Sequence, residues 1–332
     1  MIVENVLDLK QSQTFFLLRD FLGNGDVYLK LEGANLAGSI KMKSALKMIS
    51  CLEERGLIQP GVSRIIESTS GNLGIALSII CKEKGYDFTC VVDPNVSPMS
   101  LSLIGLYGGK IEMVEERDEN GGFLLNRIRR VETLLSEDPT LIWTNQYANT
   151  DNTNAHYETT AAEVLGQFPK LDYLFIGAGT TGTLGGCARY FKERSSLTTI
   201  VAVDPEGSVT FGGISKKRHI PGLGTSRCPE IASLTNVSRV MTVTEPDTIL
   251  MCHRILADYR LFVGPSTGTI LQGLKQYFDE HPTERSQSIV AISPDFGDKY
   301  IETVYSDDWI RSHYSNELAD QVQALSKAMA CS

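Results

Sequence analysis

The stretch "GSIKMKSA", residues 38–45, places two lysines between a predicted strand, "DVYLKLEG", and a predicted amphipathic helix that ends at Gly56. A strand followed at once by a helix is the unit from which parallel α/β sheets are built. Cations are disfavoured at a helix N-terminus, where the helix dipole is already positive. A lysine at this position is therefore either a solvated surface residue or an amine that works without its charge.

Composition limits the classes of partner. The chain has 332 residues, 42% hydrophobic content and a net charge of -9, which is enough for a large core and argues against nucleic acids and anionic membranes. The N-terminus has no secretory signal pattern, and no apolar run approaches the roughly 20 residues of a membrane span. The seven scattered cysteines and five histidines show no metal-ligand spacing, so we expect no metal, no disulfide framework and a cytoplasmic location.

Short β-rich runs alternate with helical stretches along the whole chain. Strands are predicted at "SRIIEST", "DFTCVVD", "KIEMVEE", "LIWTN", "LDYLFIGAG", "TTIVAVD", "RVMTVTE" and "SIVAIS". So many units predict an α/β protein of two lobes, each a mainly parallel twisted sheet flanked by helices. One glycine-rich stretch, residues 204–230, has little periodicity, and a loop of that length in a compact domain is usually functional or mobile.

The first glycine-containing loop is "ESTSGNLG", residues 67–74, between a predicted strand and helix. Exposed backbone N–H groups and hydroxyls at a helix N-terminus form a cup for a carboxylate or phosphate. An ordinary capped helix is the alternative, because Ser and Asn are common capping residues. The residues of this predicted anion cup are Ser68, Thr69, Ser70, Gly71 and Asn72.

The second loop is "GAGTTGTLGG", residues 177–186, again between a strand and a helix. Three glycines and a later acidic residue formally satisfy the dinucleotide fingerprint: Gly177, Gly179, Gly182 and Asp204. The hydroxyls of Thr180, Thr181 and Thr183 favour instead a phosphate monoester, to which each charge-assisted hydrogen bond contributes about 1.5–3 kcal/mol.

The third loop, "VGPSTGTI", residues 263–270, offers the hydroxyl of Ser266, which is either directed into a cleft or a helix cap. Pyridoxal phosphate (PLP) explains all of these features, because it needs a lysine for its aldehyde, a phosphate cup and a partner for its ring nitrogen. A lysine joined to that aldehyde need not carry a full positive charge. A nicotinamide-dependent dehydrogenase is a rival reading that leaves "GSIK" and "TSGN" unexplained.

At these motifs the chain resembles the cysteine synthase and cystathionine β-synthase family of PLP enzymes of fold type II, the fold of the tryptophan synthase β-subunit. The family's lysine, substrate, phosphate and ring-nitrogen motifs match "GSIK", "TSGN", "GTTGT" and Ser266, in that order. The resemblance implies that Lys41, not Lys43, is catalytic and binds the cofactor, and that the chain forms a homodimer. It further implies that the cofactor is bound by Asn72, Gly179, Thr180, Thr181, Gly182, Thr183 and Ser266.

Further stretches, including "NQYAN", "VDPEGSV", "PGLGTSR" and "DFGDKY", look like a narrower branch of this family. That branch makes 2,3-diaminopropionate precursors for siderophore or peptide natural-product biosynthesis. It implies β-replacement on O-phospho-L-serine by L-glutamate, giving N-(2-amino-2-carboxyethyl)-L-glutamate. Gly179 opens the phosphate loop as in cysteine synthases, so a cysteine or cysteate synthase using sulfide or sulfite is the alternative.

Three further residues are candidates for binding the substrate. Arg127 is expected to clamp a phosphate leaving group, unless it lies in solvent on an amphipathic helix. Arg227 is the second candidate for the clamp, and Tyr147 is expected to line the same pocket unless it is a core residue. The smaller, mobile lobe is expected to comprise residues 33–145, and the larger, phosphate-binding lobe residues 1–32 and 146–332.

Overall fold

The structure, a computed structural model, describes residues 2–9, 13–23, 25–69, 71–119, 121–235, 237–282 and 287–330. Its strands are β1 (Phe15–Leu18), β2 (Val27–Leu31), β3 (Arg64–Ser68), β4 (Asp87–Val92), β5 (Lys110–Met113), β6 (Leu141–Trp143), β7 (Tyr173–Gly177), β8 (Thr199–Pro205), β9 (Arg239–Val243) and β10 (Ile289–Ser293). Its helices are α1 (Lys41–Glu54), α2 (Asn72–Lys84), α3 (Pro98–Leu106), α4 (Leu124–Glu137), α5 (Thr150–Glu158), α6 (Thr160–Gln167), α7 (Gly182–Arg194), α8 (Glu245–Tyr259), α9 (Pro265–Glu280), α10 (Asp307–His313) and α11 (Asn316–Ala330).

The strands form two sheets, as the alternation of elements predicts. The larger sheet has the order β1-β2-β10-β7-β8-β9 and the smaller sheet the order β5-β4-β3-β6. All pairs are parallel except β1 with β2. The α/β fold class is therefore confirmed, while β1 is an edge strand that the pattern analysis did not predict. The lobe boundaries at residues 33 and 145 stay a prediction.

The larger sheet is covered on both faces, which explains its continuous apolar strands. Along β8, Val201 and Val203 pack into one core cluster and Ile200 and Ala202 into another. This alternation follows from the period of two in a strand. The smaller sheet likewise divides its apolar side chains between two clusters.

Parallel strands bring the loops that follow them to one edge of each sheet, and this is where the motifs lie. The anion cup follows β3, the threonine-rich loop follows β7, and "GSIK" follows β2. The backbone N–H of Ile40 donates to the carbonyl of Pro294 at 2.8 Å, so the lysine loop is attached to the segment after β10. Residues 206–229, all of them described, contain no helix or strand, as expected for this stretch.

No helix in the described part of the chain is both long and apolar enough to cross a membrane. Within the same residues, no three His, Cys, Asp or Glu side chains are grouped in a way that could hold a metal ion.

Candidate active site

One cavity collects most of the residues that the sequence motifs single out. Its walls come from the loops after β2, β3 and β7, from the start of α9 and from the long loop after β8. The predicted site residues that line it are Lys41, Thr69, Asn72, Arg127, Tyr147, Gly179, Thr180, Thr181, Gly182, Thr183 and Ser266. Ser68, Gly71 and Arg227 do not line it, and Ser70 lies outside the described residues.

Lys41 is the first residue of α1 and lies at the cavity wall. The pKa of Lys41 is lowered to about 8 because burial disfavours the charged ammonium, although the carboxylates of Asp295 and Glu67 partly oppose this shift. The shift raises the neutral fraction of the amine, as expected from the sequence, and its main cause is removal from water.

Lys43, the other lysine of the motif, belongs to a separate buried ion cluster. Its Nζ lies 3.0 Å from Glu32 Oε1 and 2.8 Å from Glu163 Oε2. Lys30 contacts the same two carboxylates at 3.1 and 2.6 Å. The cluster joins β2, α1 and α6. Because two carboxylates already neutralise the charge of Lys43, this arrangement supports Lys41 as the lysine that binds the cofactor.

The threonine-rich loop is built to receive an anion. Thr181 has a left-handed φ of 67° just before α7, whose N-terminus has no side-chain cap and no acidic residue in its first turn. The buried hydroxyl of Thr181 has no hydrogen-bond partner among the described residues. Free N–H groups, the helix dipole and an unused hydroxyl together suit a phosphate.

Close packing holds this loop in place and requires its glycines. Asn152 donates from Nδ2 to the carbonyl of Gln146 at 2.8 Å and to Oγ1 of Thr180 at 3.0 Å. A Cβ on Gly182 would overlap the Asn152 amide, and one on Gly179 would lie 2.9 Å from the carbonyl of Gly222.

Ser266 is buried in the first turn of α9 at the cavity. A Cβ on Gly222 would lie 2.7 Å from its Oγ, and Gly222 has a φ of +106°, which favours glycine. The hydroxyl is thus held close to a backbone turn of the long loop.

The anion cup is only partly exposed to the cavity. Thr69 and Asn72 line it, whereas Ser68 is fully buried with its Oγ unpartnered among the described residues. Gly71 has a φ of 129° as the N-cap of α2, and its N–H donates to Thr69 Oγ1 at 3.2 Å. The groups of the cup that can contact a ligand are therefore the hydroxyl of Thr69 and the start of α2.

Arg127 and Arg227 are placed very differently. Arg127 is buried at the cavity, with Nε 3.2 Å from Asp93 Oδ2 and its guanidinium hydrogen-bonded to Tyr147. Arg227 is exposed, forms an ion pair with Glu230 at 2.7 Å and borders a separate cavity behind Tyr147. The alternative that Arg127 lies in solvent on an amphipathic helix is wrong, because its side chain is buried. The structure does not place Arg227 in the site.

Residues that the sequence motifs did not point to also build the site. Asp295 accepts hydrogen bonds from Asn72 Nδ2 and the Tyr300 hydroxyl, both at 2.7 Å. His156 is fully buried and contacts Ser44 Oγ at 2.9 Å and Thr183 Oγ1 at 3.2 Å. Asp295 and Tyr300 lie in "DFGDKY", which resembles the narrower branch but gives neither residue a role, and "NTNAHYE" has no motif at all. Their contacts come from distant parts of the chain.

The residues present fit PLP. The partner-free Thr181 hydroxyl, the uncapped start of α7 and the low-pKa amine of Lys41 together suit a group with a phosphate and an aldehyde. The fold and this site thus define a two-sheet α/β enzyme of the cofactor-dependent class. A family model, "Pyridoxal-phosphate dependent enzyme", matches residues 13–295, and the chain belongs to that family. The nicotinamide-dependent reading is accordingly wrong.

Three solved structures of other enzymes are similar to this chain. A structure of O-ureido-L-serine synthase, a lysine-to-alanine variant bound to O-ureido-L-serine, is 28% identical, with a TM-score of 0.84 over 94% of this chain and 98% of that chain. A hydrogen sulfide-producing enzyme from Fusobacterium nucleatum is 30% identical, with a TM-score of 0.82 over 90% and 100%. The O-acetylserine-dependent cystathionine β-synthase from Helicobacter pylori is 26% identical, with a TM-score of 0.84 over 92% and 100%. The protein is therefore a PLP-dependent enzyme of the β-replacement type, similar to the cysteine synthase family.

Proposed function

We propose that the enzyme replaces the phosphate of O-phospho-L-serine by the amine of an amino acid such as L-glutamate. The product would be N-(2-amino-2-carboxyethyl)-L-glutamate, a 2,3-diaminopropionate precursor for siderophore or peptide natural-product biosynthesis. The observation that carries the choice of donor is the buried guanidinium of Arg127 in the cavity wall.

The contacts of Arg127 leave part of its guanidinium free to donate hydrogen bonds to a ligand. Burial by itself would lower the pKa of Arg127, but Asp93 and Tyr147 outweigh this effect and raise it, so the guanidinium stays charged. Its Nη1 is buried and has no hydrogen-bond partner among the described residues. A buried, pre-oriented guanidinium binds phosphate oxygens strongly, and an acetyl leaving group would make less use of its charge.

The charge of the cavity supports anionic substrates. Among the described residues that line it, the only carboxylate is that of Asp93, whereas four side chains besides the Lys41 amine are cationic: Arg117, Arg127, Lys216 and Arg218. The chain as a whole carries a net charge of -9. A positive cleft in an acidic protein concentrates anions locally and accelerates their binding.

The chain's residues would divide the work as follows. Bound PLP supplies an electron sink that weakens bonds at the substrate Cα. Thr69 and the start of α2 bind the substrate carboxylate, and the loop 179–183 binds the cofactor phosphate. The amine of Lys41 removes the Cα proton and later returns it, since a pKa of about 8 leaves part of it neutral near neutral pH. Ser266 and Asn72 would orient the cofactor ring.

The test is the mass of the product. Holoenzyme is mixed with O-phospho-L-serine and, in separate reactions, with L-glutamate, sulfide or sulfite. Release of inorganic phosphate together with the glutamate adduct is the expected result. Cysteine or cysteate formation without a glutamate adduct would instead establish the sulfur-using alternative.

We also propose a homodimer in the cytoplasm, with residues 33–145 as the lobe that closes on the substrate. Sedimentation analysis of the purified protein tests the dimer, and fractionation of cells tests the location. A substrate-dependent drop in hydrogen exchange at both edges of the cavity tests closure.

A further inference from the structure

The long loop after β8 places a second arginine in the cavity wall. Arg218 donates from Nη1 to the carbonyl of Leu223 at 2.8 Å. A Cβ on Gly224, which has a φ of +70°, would overlap the guanidinium, so this glycine makes room for it. The side chain is therefore seated in the loop and does not extend freely into solvent.

This guanidinium lacks a counter-charge in contact. Among the described residues, its buried Nε has no hydrogen-bond partner and no carboxylate forms an ion pair with it. The charges that act on it, those of Asp204 and Glu245, do so from beyond ion-pair distance, and burial lowers the pKa of Arg218. A partly desolvated, unpaired guanidinium gains much from a carboxylate ligand.

Arg117, in the loop between β5 and α4, lines the same cavity. Its guanidinium lies 4.5 Å from the centre of the Phe123 ring and donates to the carbonyl of Gly121 at 2.6 Å. Arg117 and Arg218 therefore line one cavity from two different loops, the loop after β5 and the loop after β8. Lys216, by contrast, already forms an ion pair with Glu206 at 2.5 Å.

We propose that Arg218, assisted by Arg117, binds the side-chain carboxylate of the incoming amino acid, so that the second substrate is a dicarboxylic amino acid. The inference rests on the proposed function and adds the residues that select the nucleophile. An amino acid with a neutral side chain would leave Arg218 desolvated and unpaired, and sites of this kind reject such analogues strongly.

The experiment compares holoenzymes carrying Arg218→Gln, Arg218→Lys, Arg117→Gln and the control Lys217→Gln, an exposed neighbour outside the cavity wall. Each is assayed with O-phospho-L-serine and L-glutamate, L-aspartate or L-glutamine, and the burst of phosphate released without any amine is measured separately. Circular dichroism verifies that each variant is folded.

We expect the wild type to prefer glutamate to glutamine by at least about tenfold in kcat/KM, since charged hydrogen bonds are involved. Arg218→Gln should raise the KM for glutamate by at least about tenfold, and it should change the phosphate burst and the KM for glutamine much less. Arg218→Lys should recover part of the loss, Arg117→Gln should raise the KM less, and Lys217→Gln should behave as wild type.

Equal use of glutamate and glutamine by the wild type would overturn the inference while leaving the proposed function intact. An equal loss of kcat/KM for glutamate and for glutamine in Arg218→Gln would also overturn the inference and leave the proposed function intact. A wild type that transfers to sulfide and to no amino acid overturns both. If Arg218→Gln does not fold, the wild-type preference and the Arg117→Gln variant decide.

Discussion

The side-chain amide of Asn72 donates a 2.7 Å hydrogen bond to the buried carboxylate of Asp295, 223 residues away in sequence. Asn72 begins α2, beside the smaller sheet, and Asp295 follows β10 of the larger sheet. Tyr300 donates to the same oxygen at 2.7 Å. The site is thus joined across the two sheets by a carboxylate that also acts on Lys41.

Asp295→Asn should lower the pKa of Lys41 further, because the negative charge of Asp295 raises it in the wild type. The measurement is the pH dependence of reductive methylation of Lys41 in the apoprotein, followed by peptide mass spectrometry. Asp298→Asn, an exposed change in the same loop, should have no effect. An unchanged or raised Lys41 pKa in Asp295→Asn would contradict the electrostatic role.

Lys41→Ala should abolish covalent attachment of PLP and the visible absorbance that goes with it. Borohydride reduction of the wild type and peptide mapping should place the adduct on Lys41 and not on Lys43, whose charge is already shared with Glu32 and Glu163. Lys47→Ala, on the same helix but partly exposed, is the control. An adduct at any other lysine would refute the assignment.

Arg127→Ala should abolish most turnover of O-phospho-L-serine and spare O-acetyl-L-serine, because the guanidinium is needed for the phosphate. We expect a loss of at least about a hundredfold in kcat/KM for phosphoserine, as for removal of a charged buried contact. Arg129→Ala, exposed on the same helix, is the control.

Loss of Arg127 also leaves Asp93 without its partner, and the variant could unfold for that reason. A double variant, Arg127→Gln with Asp93→Asn, removes both charges of the ion pair and is the second protein to be assayed. Equal losses with both serine derivatives would argue against a phosphate clamp.

Gly182→Ala should weaken PLP binding to the apoprotein by at least about tenfold, because its Cβ would displace the amide of Asn152 that holds the loop. Fluorescence titration measures the dissociation constant. Gly166→Ala in α6 has open space around its Cβ and should bind PLP normally, with a gain of up to about 1 kcal/mol in helix stability. Similar affinities in the two variants would show that the packing is not needed.

Glu163→Gln should reduce the free energy of unfolding by about 3 kcal/mol, because two lysines then lose a buried partner. Burial alone would raise the pKa of Glu163, but Lys43 and Lys30 outweigh it and the pKa is lowered. Its stabilisation is therefore complete above the unfolded pKa of about 4.3 and is lost as the pH falls through the lower folded pKa. Thermal unfolding between acidic and neutral pH tests this, with the more exposed Glu158→Gln as control. A variant with the wild-type pH dependence would disprove it.

The pattern of strands and helices was readable from the sequence because it depends on neighbouring residues. Apolar runs such as "TTIVAVD" and the glycine-rich turns after them specify elements locally, and their order predicted two parallel sheets. The edge strand β1 was missed, since its four residues, Phe15–Leu18, are a short apolar run that pairs antiparallel at the sheet margin. Most motif residues reach the cavity because parallel strands bring their following loops together.

What the sequence determined by itself is the set of local elements and the order of the motifs, and from these it predicted Lys41 as the reactive amine. Tertiary structure alone decided that burial lowers the pKa of Lys41, that Arg127 lies inside while Arg227 is exposed, and that Asp295 and Arg218 belong to the site. The physical reason is that desolvation and contact depend on groups hundreds of residues apart, and no local pattern records which of them the packing brings together.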